Sequence, residues 1–361
     1  MLAAYALASL LNFKVSTRKG RQFSIFILLL PMFLFVAFRD ASIGPDTEGY
    51  YRIFNGIVAM ENISFFELIT SSRLEPGYLL INYIFARLGC SYYTMQLFFS
   101  SFIFLEIGKF INRYSVKPAF SCFVFYATRA MFGTMNVVRM WVAAVVLLST
   151  IPYIREKKWV HFLILVALAG TFHYSALLFL IVYPMSRIKL NGKTVFIIFT
   201  FCVLIWQTAV PVFTYLTRQI NLYGNYITSS RFTSTISLAT GLGLLINLIF
   251  FALFFFMRQT PAFQSNGDVE DVFHRDFYYL MMVLTVAVGI IGLSNNIMGR
   301  LSHYFSLFLI VGIPDILYRI RNFNNKRILT RAVIAGLAMD YIVVMTLRPE
   351  WYMVLPYKFF F

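Results

Sequence analysis

Side chains that could carry out acid–base chemistry lie in short polar segments between long apolar runs. His173 stands in Thr-Phe-His-Tyr-Ser, and Glu75 stands directly before Pro-Gly-Tyr. A lone histidine is more often a structural hydrogen-bonding residue than a base, and His173 has no acid near it in the sequence. Glu75 either caps the helix that follows or, if burial raises its pKa, accepts a proton from a hydroxyl group. We expect His173 first, and Glu75 second, as a general base.

A third catalytic candidate, Asp46, follows a Gly-Pro turn. One interpretation is that Asp46 caps the next helix. The other is that Asp46 and Glu48 form a carboxylate pair for a divalent metal ion or for base chemistry, as alternate carboxylates do in many lipid-dependent glycosyltransferases. Two carboxylates in one loop are weak evidence for a metal, so we expect neither a metal nor another cofactor.

Two further motifs combine a helix N-terminus with an arginine. Asn136-Val-Val-Arg139 and Gly299-Arg300-Leu-Ser-His303-Tyr304 each open a predicted helix. Helix N-termini attract anions, and a guanidinium group can bind a phosphate group at two points. We therefore expect a site for an anionic substrate. The predicted substrate-binding residues are Arg39, Tyr50, Asn136, Arg139, Arg218, Arg231, Arg300 and Tyr304.

The elements that carry these residues must be membrane helices. Of the 361 residues, 60% are hydrophobic and only 13% are charged, whereas soluble domains are closer to half and a quarter. Within a bilayer every backbone N–H and C=O needs a partner inside the protein, which leaves helices or a closed barrel. The apolar runs are long and continuous, which predicts an all-α polytopic bundle forming one domain over residues 1–361. The net charge of +16 then reflects membrane topology rather than nucleic-acid binding.

About twelve crossings and one half-helix are expected from the apolar runs. A crossing needs roughly 20 residues, with about 17 as the lower bound, and several of these runs are shorter. The half-helix, 77–88, lies in or dips into the outer interface. The predicted crossings are 1–13, 23–38, 92–112, 118–133, 138–154, 159–172, 174–186, 194–212, 237–257, 276–293, 301–317 and 328–346.

Lysine and arginine determine the predicted orientation. Most of the 31 basic residues lie in six connecting segments, which are therefore assigned to the cytoplasm. These segments are 14–21, 109–117, 155–158, 187–193, 258–275 and 318–331. Both termini then face outward, and Trp351, Tyr352 and Tyr357 form an outer interfacial belt. The run 1–13 precedes a basic run, an order that is wrong for a cleaved signal peptide and fits a short first helix.

The outward segments should be poor in basic residues, yet they contain many arginines and almost no lysine. A planar guanidinium suited to phosphate explains this bias, although about half of these arginines are expected to pair with outer carboxylates. Two acids inside apolar runs also need partners: Glu106 is expected to pair with Lys109, and Asp340 with an outer arginine. The outward arginines include Arg39, Arg52, Arg73, Arg129, Arg139, Arg218, Arg231 and Arg300.

Short motifs along the chain, taken in sequence order, resemble those of the EpsG-like bacterial polysaccharide polymerases. These polymerases are grouped with the Wzy O-antigen polymerases. The resemblance spans nearly the whole chain, and the series gives it weight because each motif is short. The motifs are Arg39-Asp40, Gly44-Pro45-Asp46-Thr47, Tyr50-Tyr51, Glu75-Pro76-Gly77-Tyr78, Asn136-Val137-Val138-Arg139, Phe172-His173-Tyr174-Ser175, Gly299-Arg300 with His303-Tyr304-Phe305, and Leu355-Pro356-Tyr357.

The resemblance implies a GT-C-like fold in the bacterial cytoplasmic membrane. It implies polymerisation of repeat units carried on undecaprenyl diphosphate, on the outer side of that membrane, for a surface polysaccharide such as O-antigen. A chain-length-regulating co-polymerase is an implied partner. The candidate site residues implied by the family are Arg39, Asp46, Tyr50, Glu75, Asn136, Arg139, His173 and Arg300.

The residues suit this chemistry because negative charge grows on a diphosphate leaving group. We expect Arg139 and Arg300 to bind the diphosphate, with Arg39, Arg218 and Arg231 in support. Tyrosines of the outer loop 213–236 are available to stack on sugars. The alternatives are a flippase for lipid-linked oligosaccharides, a ligase of the O-antigen type and a membrane acyltransferase. A flippase predicts midplane charges and an internal repeat, and neither is evident.

Overall fold

The computed structural model describes residues 17–220, 238–259 and 269–361, and helices dominate all three ranges. In chain order, the α-helices are Arg18–Ala37, Thr47–Ala59, Phe65–Ser71, Pro76–Arg87, Tyr92–Tyr114, Pro118–Ala127, Ala130–Asn136, Val138–Leu148, Ile151–Arg155, Trp159–Phe172, Val182–Met185, Gly192–Ile220, Leu238–Gln259, Val269–Gly292, Asn296–Gly299, His303–Ser306, Leu309–Tyr318 and Phe323–Leu347. The 3₁₀ helices are Tyr174–Ile181, Arg300–Ser302 and Pro349–Trp351. Within these ranges a single bridge, between Arg39 and Phe359, is the only β-type pairing. The all-α prediction is confirmed.

Several helices can cross a membrane. Five of those described are long and apolar enough, and a pair bent by 46°, Arg300–Ser306 with Leu309–Tyr318, makes a sixth if it forms one span. The chain is therefore a multi-pass membrane protein. The count of about twelve crossings, the GT-C-like class and the single domain over 1–361 stay predictions, and the run 1–13 lies outside the described residues. The five helices are Arg18–Ala37, Tyr92–Tyr114, Leu238–Gln259, Val272–Gly292 and Phe323–Leu347.

Four predicted crossings are wrong as continuous helices, and one of them, 301–317, falls on the bent pair Arg300–Ser306 and Leu309–Tyr318. The run 118–133 breaks at Arg129, whose φ of 61° is left-handed, and its side chain turns to Asp340 and Tyr352. The run 138–154 ends its first helix at Leu148, and 174–186 begins as a 3₁₀ helix. The predicted half-helix is present as Pro76–Arg87, whose 12 residues span only about 18 Å.

The Val138–Leu148 helix forms the centre of the bundle. All 11 of its residues are buried, and it packs against Trp159–Phe172 and Tyr92–Tyr114. A helix that is apolar on every side belongs in a protein core. Its first turn carries Arg139, so this guanidinium is held by a rigid, enclosed element.

The six segments assigned to the cytoplasm gather at one end, the basic end. Arg21 donates to the carbonyl of Ser115 at 2.5 Å, and Arg187 donates to the carbonyl of Ile154 at 2.7 Å. Further contacts join the others, namely Arg258 to Leu190, His274 to Tyr114 and Lys117 to Tyr318. The predicted grouping of these loops is confirmed.

The opposite end, called the site end, carries Glu75, Arg139, His173 and Arg300. The C-terminal segment shapes this end because it pairs with the loop after the first described helix. Asp40 N–H donates to the Lys358 carbonyl and Gly44 N–H to the Met353 carbonyl, both at 3.0 Å. The rings of Tyr93 and Phe360 stack with centroids 4.3 Å apart. These contacts fix the loop that leads to Asp46.

Two predicted partners of acids in apolar runs are confirmed. Lys109 Nζ lies 2.6 Å from Glu106 Oε1. Asp340 pairs with Arg129, an arginine of the site end, and Arg129 Nε also donates to the Tyr352 hydroxyl at 3.1 Å. Asp340 therefore anchors the last long helix to the break at Arg129.

Candidate active site

Glu75 is enclosed at the site end with only 1% of its surface exposed. Its carboxylate forms an ion pair with Arg139 through Oε2. On the other oxygen, Oε1 lies 2.7 Å from His173 Nδ1 and 3.4 Å from the backbone nitrogen of Tyr174. When Nδ1 donates to the carboxylate, Nε2 of the neutral imidazole carries the basic lone pair.

The close approach of two helices brings Glu75 to His173. Glu75 precedes Pro76, which occupies the first turn of its helix, and the Glu75 side chain does not cap that helix. A Cβ placed on Gly77 would lie 2.5 Å from Thr171 Oγ1 and 2.9 Å from the Thr171 carbonyl oxygen. Only glycine therefore lets this helix start pack against the turn that ends in His173.

Arg139 sits between aromatic rings and a carboxylate. Its Cζ lies 5.8 Å from the ring centroid of Tyr50 and 5.6 Å from that of Tyr78. Arginine is attracted to the faces of aromatic rings, and the effect grows where water is excluded. The side chain is only 10% exposed, so Glu75 and the two tyrosines hold the guanidinium in one place.

The expectation that burial would raise the pKa of Glu75 is wrong. Burial does push it upward, but the hydrogen bond from His173 and the charge of Arg139 outweigh burial and lower the pKa to about 2. Glu75 is therefore an ionised acceptor at neutral pH rather than a proton-accepting base. No acid lies near His173 in the sequence, and the fold supplies one, Glu75.

Glu75, Arg139 and His173 together form what we call the Glu75 cluster. Tyr304, in the Arg300–Ser306 segment, adjoins this cluster. Its hydroxyl lies 2.9 Å from Ser175 Oγ, two residues after His173, and the residue is fully buried. The contact links the His173 turn to the segment that carries Arg300. Tyr304 thus supports the position of His173.

A second group of predicted residues lies beside the first. Arg300 Nη1 is 3.1 Å from Asp46 Oδ2, and both side chains are partly exposed. Asp46 takes the N-cap position of Thr47–Ala59 without a capping hydrogen bond from its side chain. Glu48 faces Arg52 at 3.4 Å instead. The two carboxylates do not converge, and the described residues hold no group of three His, Cys, Asp or Glu residues suited to a metal.

Asn136, another predicted substrate-binding residue, has one buried side-chain atom with no hydrogen-bond partner among the described residues. The residue is 7% exposed, and the atom is Oδ1. A Cβ on Gly44, which has a φ of +92°, would lie 2.3 Å from this oxygen. Glycine at position 44 is therefore required both by the backbone and by Asn136. Buried polar atoms are nearly always bonded, so this oxygen, packed against Gly44, is an exception among the described residues.

A cavity of about 600 Å³ opens beside the cluster. Asn136, Arg300 and His303 line it, while Arg139 and Tyr304, their near neighbours in the chain, contact Glu75 and Ser175. The segments 136–139 and 300–304 thus each carry polar side chains on two sides, one toward the cavity and the other toward the Glu75 cluster.

The remaining predicted residues do not reach this arrangement. Arg39 is fully buried, and its guanidinium donates to the backbone carbonyls of Val36 and Met135, so the expected substrate contact is replaced by a structural one. The side chain of Arg218 and the whole of Arg231 lie outside the described residues. The predicted loop 213–236 is wrong at its start, because residues 213–220 continue the helix Gly192–Ile220, and the rest of it lies outside the described residues. Sequence reasoning missed Tyr78 and Ser175, and only their places in two recognised motifs pointed to them.

Comparison with protein-family models identifies a family for this chain. The model of the EpsG family matches residues 22–359, nearly the whole chain. No curated protein and no solved structure gives a significant match. The resemblance drawn from the motifs is confirmed.

Proposed function

The chain belongs to the EpsG family, a family of the Wzy-like polymerase type, and on that premise we propose that it is a glycosyltransferase. It joins oligosaccharide repeat units carried on undecaprenyl diphosphate into a surface polysaccharide such as O-antigen. One observation carries this proposal: the buried Glu75 contacts both Arg139 and His173. A base for a sugar hydroxyl and a cation for a diphosphate therefore stand on either side of one carboxylate.

In the reaction, a hydroxyl oxygen of the acceptor unit attacks the anomeric carbon of the growing chain. The bond between that carbon and the diphosphate oxygen breaks, and its electron pair leaves with undecaprenyl diphosphate. The proton of the hydroxyl goes to Nε2 of His173. The donor and acceptor are both lipid-linked, so the reaction takes place at the membrane surface.

Glu75 makes His173 effective in this step. Its carboxylate holds the Nδ1 hydrogen, which fixes the tautomer and the ring orientation, and its charge stabilises the imidazolium that forms. Because Glu75 is ionised, it supports the base rather than replaces it. The two rival bases expected from the sequence thus become one unit.

Arg139 and Arg300 stabilise the leaving group. A guanidinium has five N–H donors, so each arginine can keep its carboxylate partner and still contact a phosphate oxygen. Glu75 and Asp46 hold these groups in place before the substrate arrives. Preorganised donors aimed at developing charge are often the largest contribution to catalysis.

This chemistry needs no metal, and we place it on the outer face of the bacterial cytoplasmic membrane. The gathering of the basic segments at the end opposite Glu75 supports this orientation. A GT-C-like arrangement of helices and a chain-length-regulating co-polymerase as a partner belong to the same proposal.

The test is polymerisation by the purified protein in detergent, supplied with a lipid-diphosphate repeat unit, with and without a chelator. A ladder of products that survives the chelator supports the proposal. A single coupled product indicates a ligase, and lipid movement in vesicles without any product indicates a flippase. His161→Ala is the matched control for His173→Ala, since His161 stacks on Tyr153 at the basic end.

A further inference from the structure

The cavity beside the active site is a groove that follows a membrane-spanning helix. On Leu238–Gln259 the lining residues recur on one helical face, as a period of 3.6 requires. From Leu238 to Phe250 this face extends about 18 Å at 1.5 Å per residue. The lining residues of this face include Leu242, Gly243, Ile246, Asn247 and Phe250.

The opposite wall belongs to another membrane-spanning helix, Phe323–Leu347. Leu337, Asp340 and Val344 line the groove, and Arg348 continues the row just beyond the helix end. This row extends about 16 Å. The two walls therefore run side by side from the site end toward the middle of the bundle.

The polarity of the groove lining changes along its length. At the site end its lining includes Arg300, Arg348 and Asn136. Deeper in the bundle the lining is mostly apolar, with Phe250, Ile313 and Leu337, and Asn247 is a polar residue among them. An amphipathic groove of this kind matches a ligand with one anionic head and one long apolar chain.

We propose that this groove holds the polyprenyl chain of a lipid-linked substrate, with the diphosphate at the polar end. The assignment rests on the proposed function, because it names the part of the molecule that takes the lipid. In the most apolar stretch of each wall helix only 11% of the residues are buried, so both helices face lipid. A chain can therefore enter sideways between them, and its polar end then lies at Arg300, beside the Glu75 cluster.

A glycine on the wall offers a direct test. Gly243 lines the groove, and a Cβ added there meets nothing within 4 Å, so Gly243→Phe fills the groove without a backbone clash. Gly241, on the same helix, is equally open but is not part of the groove lining. Gly241→Phe is therefore the matched control for helix propensity and membrane insertion.

The measurement compares KM for repeat units on an undecaprenyl-length carrier with KM on a carrier of two isoprene units. Gly243→Phe should raise KM for the long carrier by about tenfold or more, because filling the groove removes apolar contacts. It should change KM for the short carrier by less than about threefold. Gly241→Phe should behave as the wild type with both carriers. Equal effects on both carriers, or none on the long one, would overturn the assignment.

A binding experiment separates this assignment from the proposed activity. A photoactivatable polyprenyl diphosphate, free of sugar, is crosslinked to the full-length protein in phospholipid vesicles and the labelled peptides are identified. Labelling of Leu238–Gln259 and Phe323–Leu347 that is lost in Gly243→Phe supports the groove, even if the wild type makes no polymer. Labelling confined to other helices, or displaced by ordinary phospholipid, would remove it while leaving the polymerase proposal standing.

Discussion

Nδ1 of His173 lies 2.7 Å from Oε1 of Glu75, although 98 positions separate the two residues in the chain. The other oxygen of the same carboxylate pairs with Arg139. A single side chain therefore holds both the proposed base and a proposed diphosphate ligand. Changes at Glu75 should disturb both, which makes the coupling between these residues measurable.

Coupling between Glu75 and His173 should appear as non-additive kinetics. His173→Ala should lower kcat by about 10²–10⁴, the usual contribution of a general base. Glu75→Gln should lower kcat in the same direction, since a neutral amide neither fixes the tautomer nor stabilises the imidazolium. The double variant should be little worse than His173→Ala alone. His161→Ala should keep wild-type kcat, and losses that multiply in the double variant would show that the two residues act independently.

The low pKa of Glu75 leads to a prediction about stability and pH. Its value of about 2 in the folded protein is below the ordinary 4.5, so the carboxylate stabilises the fold fully above about pH 4.5. This contribution is lost as the pH falls toward 2, because protonation then favours the unfolded chain. The difference in melting temperature between wild type and Glu75→Gln in detergent should not shrink between about pH 8 and 5, and it should shrink at lower pH. A difference that shrinks near pH 6 would contradict the assigned ionisation.

The sequence predicted the class of fold and the types of residue in the candidate site, but not which of these residues contact one another. Apolar length and charge placement identify membrane helices and sort their ends, because both follow from the properties of the bilayer. The break at Arg129 was missed because a left-handed residue inside an apolar run depends on its distant partners, Asp340 and Tyr352. The role of Arg39 was missed for the same reason: an arginine that bonds only backbone carbonyls looks the same in sequence as one that binds phosphate.

Arg139 should be needed for stability as well as for turnover. Arg139→Ala leaves an ionised carboxylate buried with one ionic partner fewer, and breaking a buried pair in this way typically costs about 3–5 kcal/mol. Thermal unfolding in detergent should show a large loss for Arg139→Ala and partial recovery in the Arg139→Ala, Glu75→Gln double variant. Arg52→Ala is the control, because its pair with Glu48 is exposed and should contribute little. Failure of the second substitution to restore any stability would argue against the buried pair.

Arg300 should affect turnover far more than stability. Its pair with Asp46 is partly exposed, so the pair itself stabilises the fold only modestly. Arg300→Ala should nevertheless lower kcat by about 10²–10³ if the guanidinium meets the leaving group. Asp46→Asn should be milder, and its residual activity should be the same with and without a chelator, since Asp46 and Glu48 face different arginines. Near-normal turnover in Arg300→Ala would remove this residue from the mechanism.

Gly77→Ala tests whether helix packing sets the geometry of the base. A Cβ at this position would lie 2.5 Å from Thr171 Oγ1 and 2.9 Å from its carbonyl oxygen, so the helix start must move away from the turn before His173. Such a shift lengthens the contact between Glu75 and His173, and misplacement by about 1 Å can cost on the order of 10²-fold in rate. Gly49→Ala is the matched control, because a Cβ there meets nothing within 4 Å and alanine favours a helix. Turnover should fall by at least about tenfold in Gly77→Ala and remain unchanged in Gly49→Ala. Equal activity of both variants would show that His173 does not depend on this packing.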